Sequence, residues 1–322
     1  MEISRSSTNR LELSRHAHFI VHFLELKKLS SQHTKAAYER DIRDFFNVKD
    51  VETITLQDVI DVGMQDVEHW LLEMRGRGLQ PSTINRKLSS LSSLYRWLLK
   101  YQDNRSGKTL LYFNPFSNLQ EEKPRQQLNQ AKFLTASECQ TLLNSFDTKK
   151  ICGLRNKALL SLALTTALRK SEMINLKVGD FSKEGGFDVA FVTRKGGKKD
   201  VVKIQPPVKA LIDDYLTKTG RLESDTGYVF LGHSNNKKNG EKLNPSTLNH
   251  MLKAAVKNAG IEKNINVHST RHTAITLAIL GGASIEKVRD FAAHQSIATT
   301  NRYIHSIDRI KDNAGDVIKL DL

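Results

Sequence analysis

The sequence predicts a mainly helical protein of two domains, with a small β-sheet in the second domain. Three observations support this fold class. The chain has 322 residues, which suits two domains of common size. Its first third shows helical spacing of apolar residues almost throughout. The second half mixes such stretches with short apolar runs that are typical of strands.

The first domain is predicted to be helical over residues 11–118, after a flexible N-terminus of residues 1–10. Glycines 76 and 78 interrupt the pattern, and Pro81-Ser82-Thr83 begins a further helix, because proline suits the first turn. Basic residues of that helix, such as Arg86 and Lys87, are interpreted either as a solvated face or as contacts to a polyanion. Helical stretches are predicted at residues 19–26, 34–46, 59–74 and 81–98.

A polar segment separates the domains. Periodicity fades after residue 102, and Glu121 to Gln127 reads as a linker, so we place the linker at 119–131, the second domain at 132–310 and a tail at 311–322. Lys195-Gly196-Gly197-Lys198 predicts a hairpin turn. The second domain is predicted to have helices at 135–146, 154–172, 207–219, 245–259 and 270–280, strands at 189–193 and 201–204, and two short helices after 284.

The charge balance indicates a polyanionic partner. The chain has 49 Lys and Arg against 35 Asp and Glu, a net charge of +14, and a pI near 9.6. Such an excess of positive charge favours nucleic acid as the partner. An anionic membrane is the weaker interpretation, because no basic amphipathic helix or lipidation motif is present.

Composition also constrains the compartment. Two cysteines, Cys139 and Cys152, exclude a disulfide framework and indicate a reducing environment. The longest apolar stretch, Ala158 to Leu168, is too short to cross a bilayer, and the N-terminus does not resemble a signal peptide. We therefore expect a soluble, cytoplasmic protein.

Four segments of the second half carry residues suited to chemistry on phosphate. They contain Arg169 after an apolar helix, Lys195 in the predicted hairpin, the pair His268 and Arg271 in His-Ser-Thr-Arg, and a segment from His294 to His305. Each has an ordinary explanation when taken alone, such as a helix cap or a solvated turn. Their order and the Thr-Thr-x-x-Tyr-x-His pattern around Tyr303 are specific when taken together.

This pattern resembles the tyrosine recombinases, the family of phage integrases and Xer-type recombinases. The first half resembles the family more weakly, through Thr34, Tyr38 and Phe45 and through the stretches 81–86 and 95–98. The resemblance implies a helical, SAM-like core-binding domain. It also implies a mixed α/β catalytic domain, the two forming a C-shaped clamp on DNA.

The resemblance further implies a site-specific DNA recombinase or integrase that works by transesterification, without metal, ATP or another cofactor. Tyr303 would attack a phosphodiester, giving a 3′-phosphotyrosyl bond and a free 5′-hydroxyl. Arg169 and Arg271 would bind the phosphate oxygens, because guanidinium groups stay charged and offer paired donors.

The remaining catalytic roles concern protons. The resemblance makes Lys195 the acid for the departing 5′-oxygen, and Lys198 in the same turn is the alternative. His268 would assist proton transfer at Tyr303, and His294 would hydrogen-bond the scissile phosphate.

Three further residues receive lesser roles. Glu172, one helical turn after Arg169, is expected to support that arginine. His272 and His305 are expected to be structural or to contact the tail.

Two positions depart from the family's usual pattern. Ala167 stands where Thr-Gly-Leu-Arg has glycine, and Phe291-Ala292-Ala293-His294 replaces Leu-Leu-Gly-His. These differences put the fine geometry of both loops in question and leave the catalytic set intact.

The partners implied are double-stranded DNA with inverted-repeat core sites and further copies of this chain in a synaptic homotetramer, or a related recombinase in their place. The complex would form at the nucleoid and without a membrane. The tail could dock on a neighbouring subunit or pack on its own domain.

Three other functions remain open from the sequence. A type IB topoisomerase uses a similar residue set to relax DNA. A zinc hydrolase could use His268 and His272, which are spaced i and i+4, although no third ligand is obvious. A catalytically silent DNA-binding protein would not need Tyr303.

Overall fold

The computed structural model describes residues 18–102, 107, 109–119, 122–125, 132–194, 196–222, 226–233, 240–301 and 303. The chain divides into two compact units, Met1–Leu128 and Asn129–Leu322. Within the described part of the chain, no helix is both long enough and apolar enough to cross a membrane. The predicted N-terminal segment 1–10 and the tail 311–322 lie outside the described residues.

The first unit is helical, as predicted. Its one clear difference is that the predicted stretch 59–74 forms two helices, because Asp66 accepts a hydrogen bond from the Gly63 amide at 2.8 Å and begins a new helix there. The helices are α1 (Phe19–Lys28), α2 (Gln32–Phe46), α3 (Leu56–Ile60), α4 (Met64–Gly76) and α5 (Pro81–Leu98).

Buried ion pairs join α2 to α5. Asp41 is fully buried and pairs with Arg86, while Lys87 is only 6% exposed and donates to Asp44 at 2.8 Å. The Lys87 ammonium also lies over the Trp70 ring. The expectation that Lys87 belongs to a solvated or polyanion-binding face is therefore wrong, because this buried side chain pairs with the buried Asp41 and the half-buried Asp44.

The second unit is mixed, with helices around one small sheet. Its elements, in chain order, are α6 (Ala136–Asn144), α7 (Ile151–Thr166), α8 (Lys170–Asn175), β1 (Phe181–Glu184), β2 (Phe187–Thr193), β3 (Lys199–Lys203), α9 (Pro206–Lys218), α10 (Pro245–Asn258), α11 (Val267–Leu280) and α12 (Ile285–Phe291), followed by helical residues at 297–301 and 303.

The sheet is antiparallel in the order β1-β2-β3. The predicted hairpin joins β2 and β3, with Thr193 opposite Lys199. Gly196 and Gly197 have φ angles of 85° and 82°, which side chains disfavour, so the turn requires both glycines. Strand β1 is not predicted from the sequence, because its residues after Phe181 are all exposed and show no alternation of apolar and polar side chains.

The predicted helix 154–172 is interrupted at residues 167–169 and forms two helices. Helix α7 ends at Thr166, because Ala167 adopts a left-handed conformation with φ 50°. Arg169 is then the N-cap of α8. Because of this break, Arg169 does not belong to the apolar helix α7 and instead precedes the first turn of α8.

Candidate active site

The start of α11 presents three of the relevant side chains. The Asn266 side chain accepts hydrogen bonds from the amides of His268 at 2.8 Å and Ser269 at 3.0 Å, which fixes the helix N-terminus. His268, Arg271 and His272 follow at spacings of three and four residues, so they share one face of the helix.

Arg271 is held by carbonyl groups from two other loops. Arg271 is only 3% exposed. Its two terminal nitrogens donate to the carbonyl oxygens of Ala167 and Ala292. Ala167 ends α7, and Ala292 precedes Ala293, which is also left-handed with φ 46°. A guanidinium has five N–H groups. Arg271 can therefore bind both loops and still offer donors to a ligand.

Arg169 is oriented by Glu172. The Glu172 carboxylate accepts from the Arg169 side chain at 2.9 Å and from its backbone amide at 2.8 Å. The Arg169 side chain remains 36% exposed, whereas that of Glu172 is 3% exposed. Burial alone would raise the pKa of Glu172, but the hydrogen bonds from Arg169 and the charge of Arg194 lower it overall. The carboxylate therefore stays ionised and holds the guanidinium at the surface.

Arg169, His268 and Arg271 line one cleft of about 580 Å³. Leu168, Lys170, Asn249 and Lys253 line other parts of it. Burial, followed by the positive charge of Arg169, lowers the pKa of Arg271 to about 10, which keeps it charged at pH 7. The cleft thus combines two fixed positive charges with an opening to solvent, which suits a phosphate group.

Tyr303 belongs to a stack of rings beside this cleft. Its ring centroid lies 5.1 Å from His272 and 5.9 Å from His294, and His272 lies 4.5 Å from His268. The Nδ1 atom of His294 is 2.9 Å from the hydroxyl of Thr300, a buried residue that fixes the ring.

The electrostatics of the stack favour neutral rings. Burial is the main cause that lowers the pKa of His272 and of His294 to about 4. The charge of Arg271 adds to the effect on both, together with the neighbouring imidazoles at His272 and Arg169 at His294. Partial desolvation lowers the pKa of His268 as well, followed by the charges of Arg271 and Arg169. Burial raises the pKa of Tyr303, which Arg271 partly offsets. At pH 7 the phenol is therefore protonated, and neutral imidazoles that can accept a proton lie next to it.

The structure brings five of the six sequence-predicted residues to one region, namely Arg169, His268, Arg271, His294 and Tyr303. Lys195 lies outside the described residues, as does His305. Lys198 is exposed, and its carbonyl accepts from the Arg194 amide at 2.7 Å.

The sequence predicts a structural role or a contact to the tail for His272. In the structure its ring centroid lies 5.1 Å from that of Tyr303 and 4.5 Å from that of His268. Its signal in the sequence is the spacing of four residues from His268, which by itself indicates only a candidate zinc pair. Among the described residues, no three His, Cys, Asp or Glu side chains converge as metal ligands, so this pair has no third ligand there. Arg194, which pairs with Glu172, had no sequence signal.

Both halves of the chain match known protein families. Residues 132–309 match the phage integrase family, and residues 20–102 match the phage integrase N-terminal SAM-like domain. The tyrosine recombinase XerD of Listeria innocua is 30% identical over 297 residues, which are 91% of this chain and 94% of that protein. A tyrosine recombinase of Thermosipho africanus is 30% identical over 290 residues, covering 88% and 92% of the two chains.

Solved structures share the fold. The XerH site-specific recombinase bound to palindromic difH substrate, in a post-cleavage complex, superposes with a TM-score of 0.74 at 18% identity, over 92% of this chain and 83% of that chain. A lambda integrase dimer bound to a COC′ core site gives a TM-score of 0.63 at 15% identity, over 94% of this chain and 97% of that chain. The chain belongs to the phage integrase family of tyrosine recombinases, and it is a site-specific DNA recombinase.

Proposed function

We propose that this recombinase cuts and rejoins double-stranded DNA through a covalent bond between Tyr303 and a 3′-phosphate, without metal or ATP. One observation carries the proposal. The two arginines that line the cleft lie beside the ring stack that contains Tyr303. A phosphodiester in the cleft would meet fixed positive charge and a phenol together.

Arg169 and Arg271 would bind the two non-bridging oxygens of the scissile phosphate. Both are oriented before DNA arrives, Arg169 by Glu172 and Arg271 by two carbonyls. Preorganised donors stabilise charge that develops in the transition state, and each commonly contributes a factor of about 10² to 10³ in rate. His294, held by Thr300, would add a hydrogen bond to the same phosphate.

Tyr303 would be the nucleophile. A free tyrosine has only about 0.1% phenolate at pH 7, and burial in this site reduces that fraction. The proton must therefore leave as the P–O bond forms. His268 would assist this transfer, and His272, whose ring is close to both Tyr303 and His268, would relay the proton toward His268.

Lys195 would protonate the 5′-oxygen as it leaves. The P–O5′ bond breaks as a 3′-phosphotyrosyl bond forms, and the departing 5′-oxygen takes the lysine proton and becomes a free 5′-hydroxyl. Attack by the 5′-hydroxyl of a partner strand then reverses these steps. Lys198 is the alternative acid in the same turn.

The DNA would carry inverted-repeat core sites held in a synaptic homotetramer. The support is the net charge of +14 and the likeness to a recombinase solved on a palindromic substrate. Lys170 and Lys253 at the cleft would contact the flanking backbone, so affinity should fall steeply with salt.

A suicide substrate tests the chemistry. A nick near the cleavage site lets a short 5′-hydroxyl fragment diffuse away, so the covalent complex accumulates and can be mapped by mass spectrometry. We expect Tyr303 to carry the 3′-phosphate and Tyr303→Phe to form no adduct. Tyr228→Phe, a half-buried tyrosine of the same unit, is the matched control and should react normally. An adduct on another residue would refute the assignment.

Reaction on plasmids with two sites tests the outcome. Recombination predicts deletion or inversion products. Relaxation of supercoils alone would instead indicate a topoisomerase. Full activity in chelator is expected, and loss of activity restored by a divalent metal would contradict the proposal.

A further inference from the structure

Arg194, directly after strand β2, is a buried cation that the proposed chemistry does not use. Its side chain is 7% exposed. Its Nη1 donates to Glu172 at 2.8 Å, and its Nε donates to Asp200 at 2.9 Å. Because the guanidinium is buried and donates to both carboxylates, it is not placed to contact DNA.

The carboxylate of Glu172 connects two arginines. One oxygen accepts from the Arg169 side chain, and the other accepts from the Arg169 backbone amide and from Arg194. Glu172 is almost fully buried, so its charge depends on these partners. Arg169 keeps two hydrogen bonds of its own to this carboxylate, so Glu172 ties Arg194 to the phosphate-binding arginine without making Arg169 depend on it.

Arg194 also closes the β2–β3 turn. Its amide donates to the carbonyl of Lys198 at 2.7 Å, and its carbonyl accepts from the amide of Gly197 at 3.1 Å. Asp200 lies on β3, where it pairs with Val192 of β2. One residue thus links both strands of the hairpin to helix α8.

We propose that Arg194 is a positioning residue that sets the β2–β3 turn, and with it Lys195, relative to Arg169 and the scissile phosphate. The proposal rests on the proposed function, in which a lysine of this turn is the general acid. Arg194 immediately precedes Lys195 in the chain, and its anchor, Glu172, also orients the phosphate-binding Arg169.

The proposal separates two parts of the reaction. Attack by Tyr303 on phosphorus depends on the arginines, whereas breaking the P–O5′ bond depends on a proton from the turn. A substrate with sulfur in place of the bridging 5′-oxygen loses a thiolate, which needs no proton, because a thiol has a pKa of about 8.5, far below that of an alcohol. Such a substrate should restore the cleavage rate of variants in which only the general acid is missing or misplaced.

The experiment measures single-turnover cleavage of matched 5′-oxygen and 5′-sulfur substrates by the full chain. We expect Arg194→Met to be slowed at least about tenfold on the oxygen substrate and to cleave the sulfur substrate within about threefold of the parent. Arg194→Lys, which keeps the charge, carries the same test if Arg194→Met fails to fold. Asp200→Asn, which leaves the link to Glu172, is the matched control and should lose no more than about twofold.

An equal loss by the Arg194 variants on both substrates, or no loss on either, would overturn the proposal. Lys195→Ala and Lys198→Ala are tested in parallel. If sulfur restores neither lysine variant, the acid assignment in the proposed function fails. If sulfur restores Lys195→Ala but not Arg194→Met, the acid stands and the positioning role of Arg194 fails.

Discussion

The two left-handed alanines beside Arg271 make a quantitative test of the loop geometry. Ala167 and Ala293 have φ angles of 50° and 46°, values that glycine adopts without cost. The perturbation is to replace each by glycine and to compare it with Ala292→Gly. Ala292 is fully buried and right-handed with φ −82°, so it has no conformational strain to relieve.

The expected magnitudes differ among the three sites. A left-handed alanine costs about 1–2 kcal/mol, and glycine costs about 0.5–1 kcal/mol in backbone entropy. Ala293 is half-buried, so Ala293→Gly should raise the free energy of unfolding by about 0.5–1 kcal/mol. Ala167 is fully buried, and losing its methyl costs about 0.8 kcal/mol, so Ala167→Gly should be near neutral. Ala292→Gly should lose about 1.5 kcal/mol.

The assay is urea unfolding, monitored by circular dichroism for the whole chain. Both tryptophans, Trp70 and Trp97, lie in the first unit, so their fluorescence reports that unit and separates its transition from that of the second. All three substitutions should alter only the second transition. If Ala293→Gly is no more stable than the parent, or loses as much as Ala292→Gly, the left-handed corner at residue 293 is refuted.

Two further predictions concern buried charge. The pKa values of His272 and His294 are about 4 in the folded chain against an ordinary 6.5, so the unfolded chain binds more protons between these values. Stability should fall as pH drops from 6.5 towards 4, by about 1 kcal/mol per histidine at pH 5, because both rings are partly exposed and solvent screens their charge. His272→Phe should remove about half of this loss in urea titrations at pH 7 and pH 5, and an unchanged loss would contradict the buried neutral ring. Lys87→Met should destabilise the first unit by about 1–3 kcal/mol in tryptophan fluorescence, because the buried Asp41 and the half-buried Asp44 each lose one cationic partner. The exposed Lys100→Met should change it by less than about 0.5 kcal/mol, and equal effects would refute the structural role of Lys87.

The sequence was informative wherever local chemistry decides the structure. Pro81 and Pro245 each begin a helix at its first position, where a missing amide proton costs nothing. Gly196 and Gly197 specify the hairpin because their backbone angles exclude most other residues. The residues proposed for catalysis could also be predicted from the sequence, because they occur in short motifs that are recognisable without a structure.

Other features depend on contacts between distant parts of the chain. The break after Thr166 carries no glycine or proline, so the left-handed Ala167 gave no local sign of a helix end. Lys87 and Arg194 look like surface bases in the sequence, and only packing against Asp44 and Glu172 shows that they are buried. A pattern of charge does not reveal which bases have partners, because those partners lie 22 to 43 residues away.

The position of Arg271 explains why these distant features meet at the site. Its guanidinium binds the carbonyls of Ala167 and Ala292, which lie on opposite sides of it in the chain, and its own backbone belongs to α11. A lysine would offer one nitrogen and could not reproduce two directed bonds in a plane. The same side chain therefore joins three segments and presents charge to the cleft. It follows that loss of activity in an Arg271 variant mixes folding with chemistry, whereas Tyr303→Phe removes one hydroxyl and reports on the nucleophile itself.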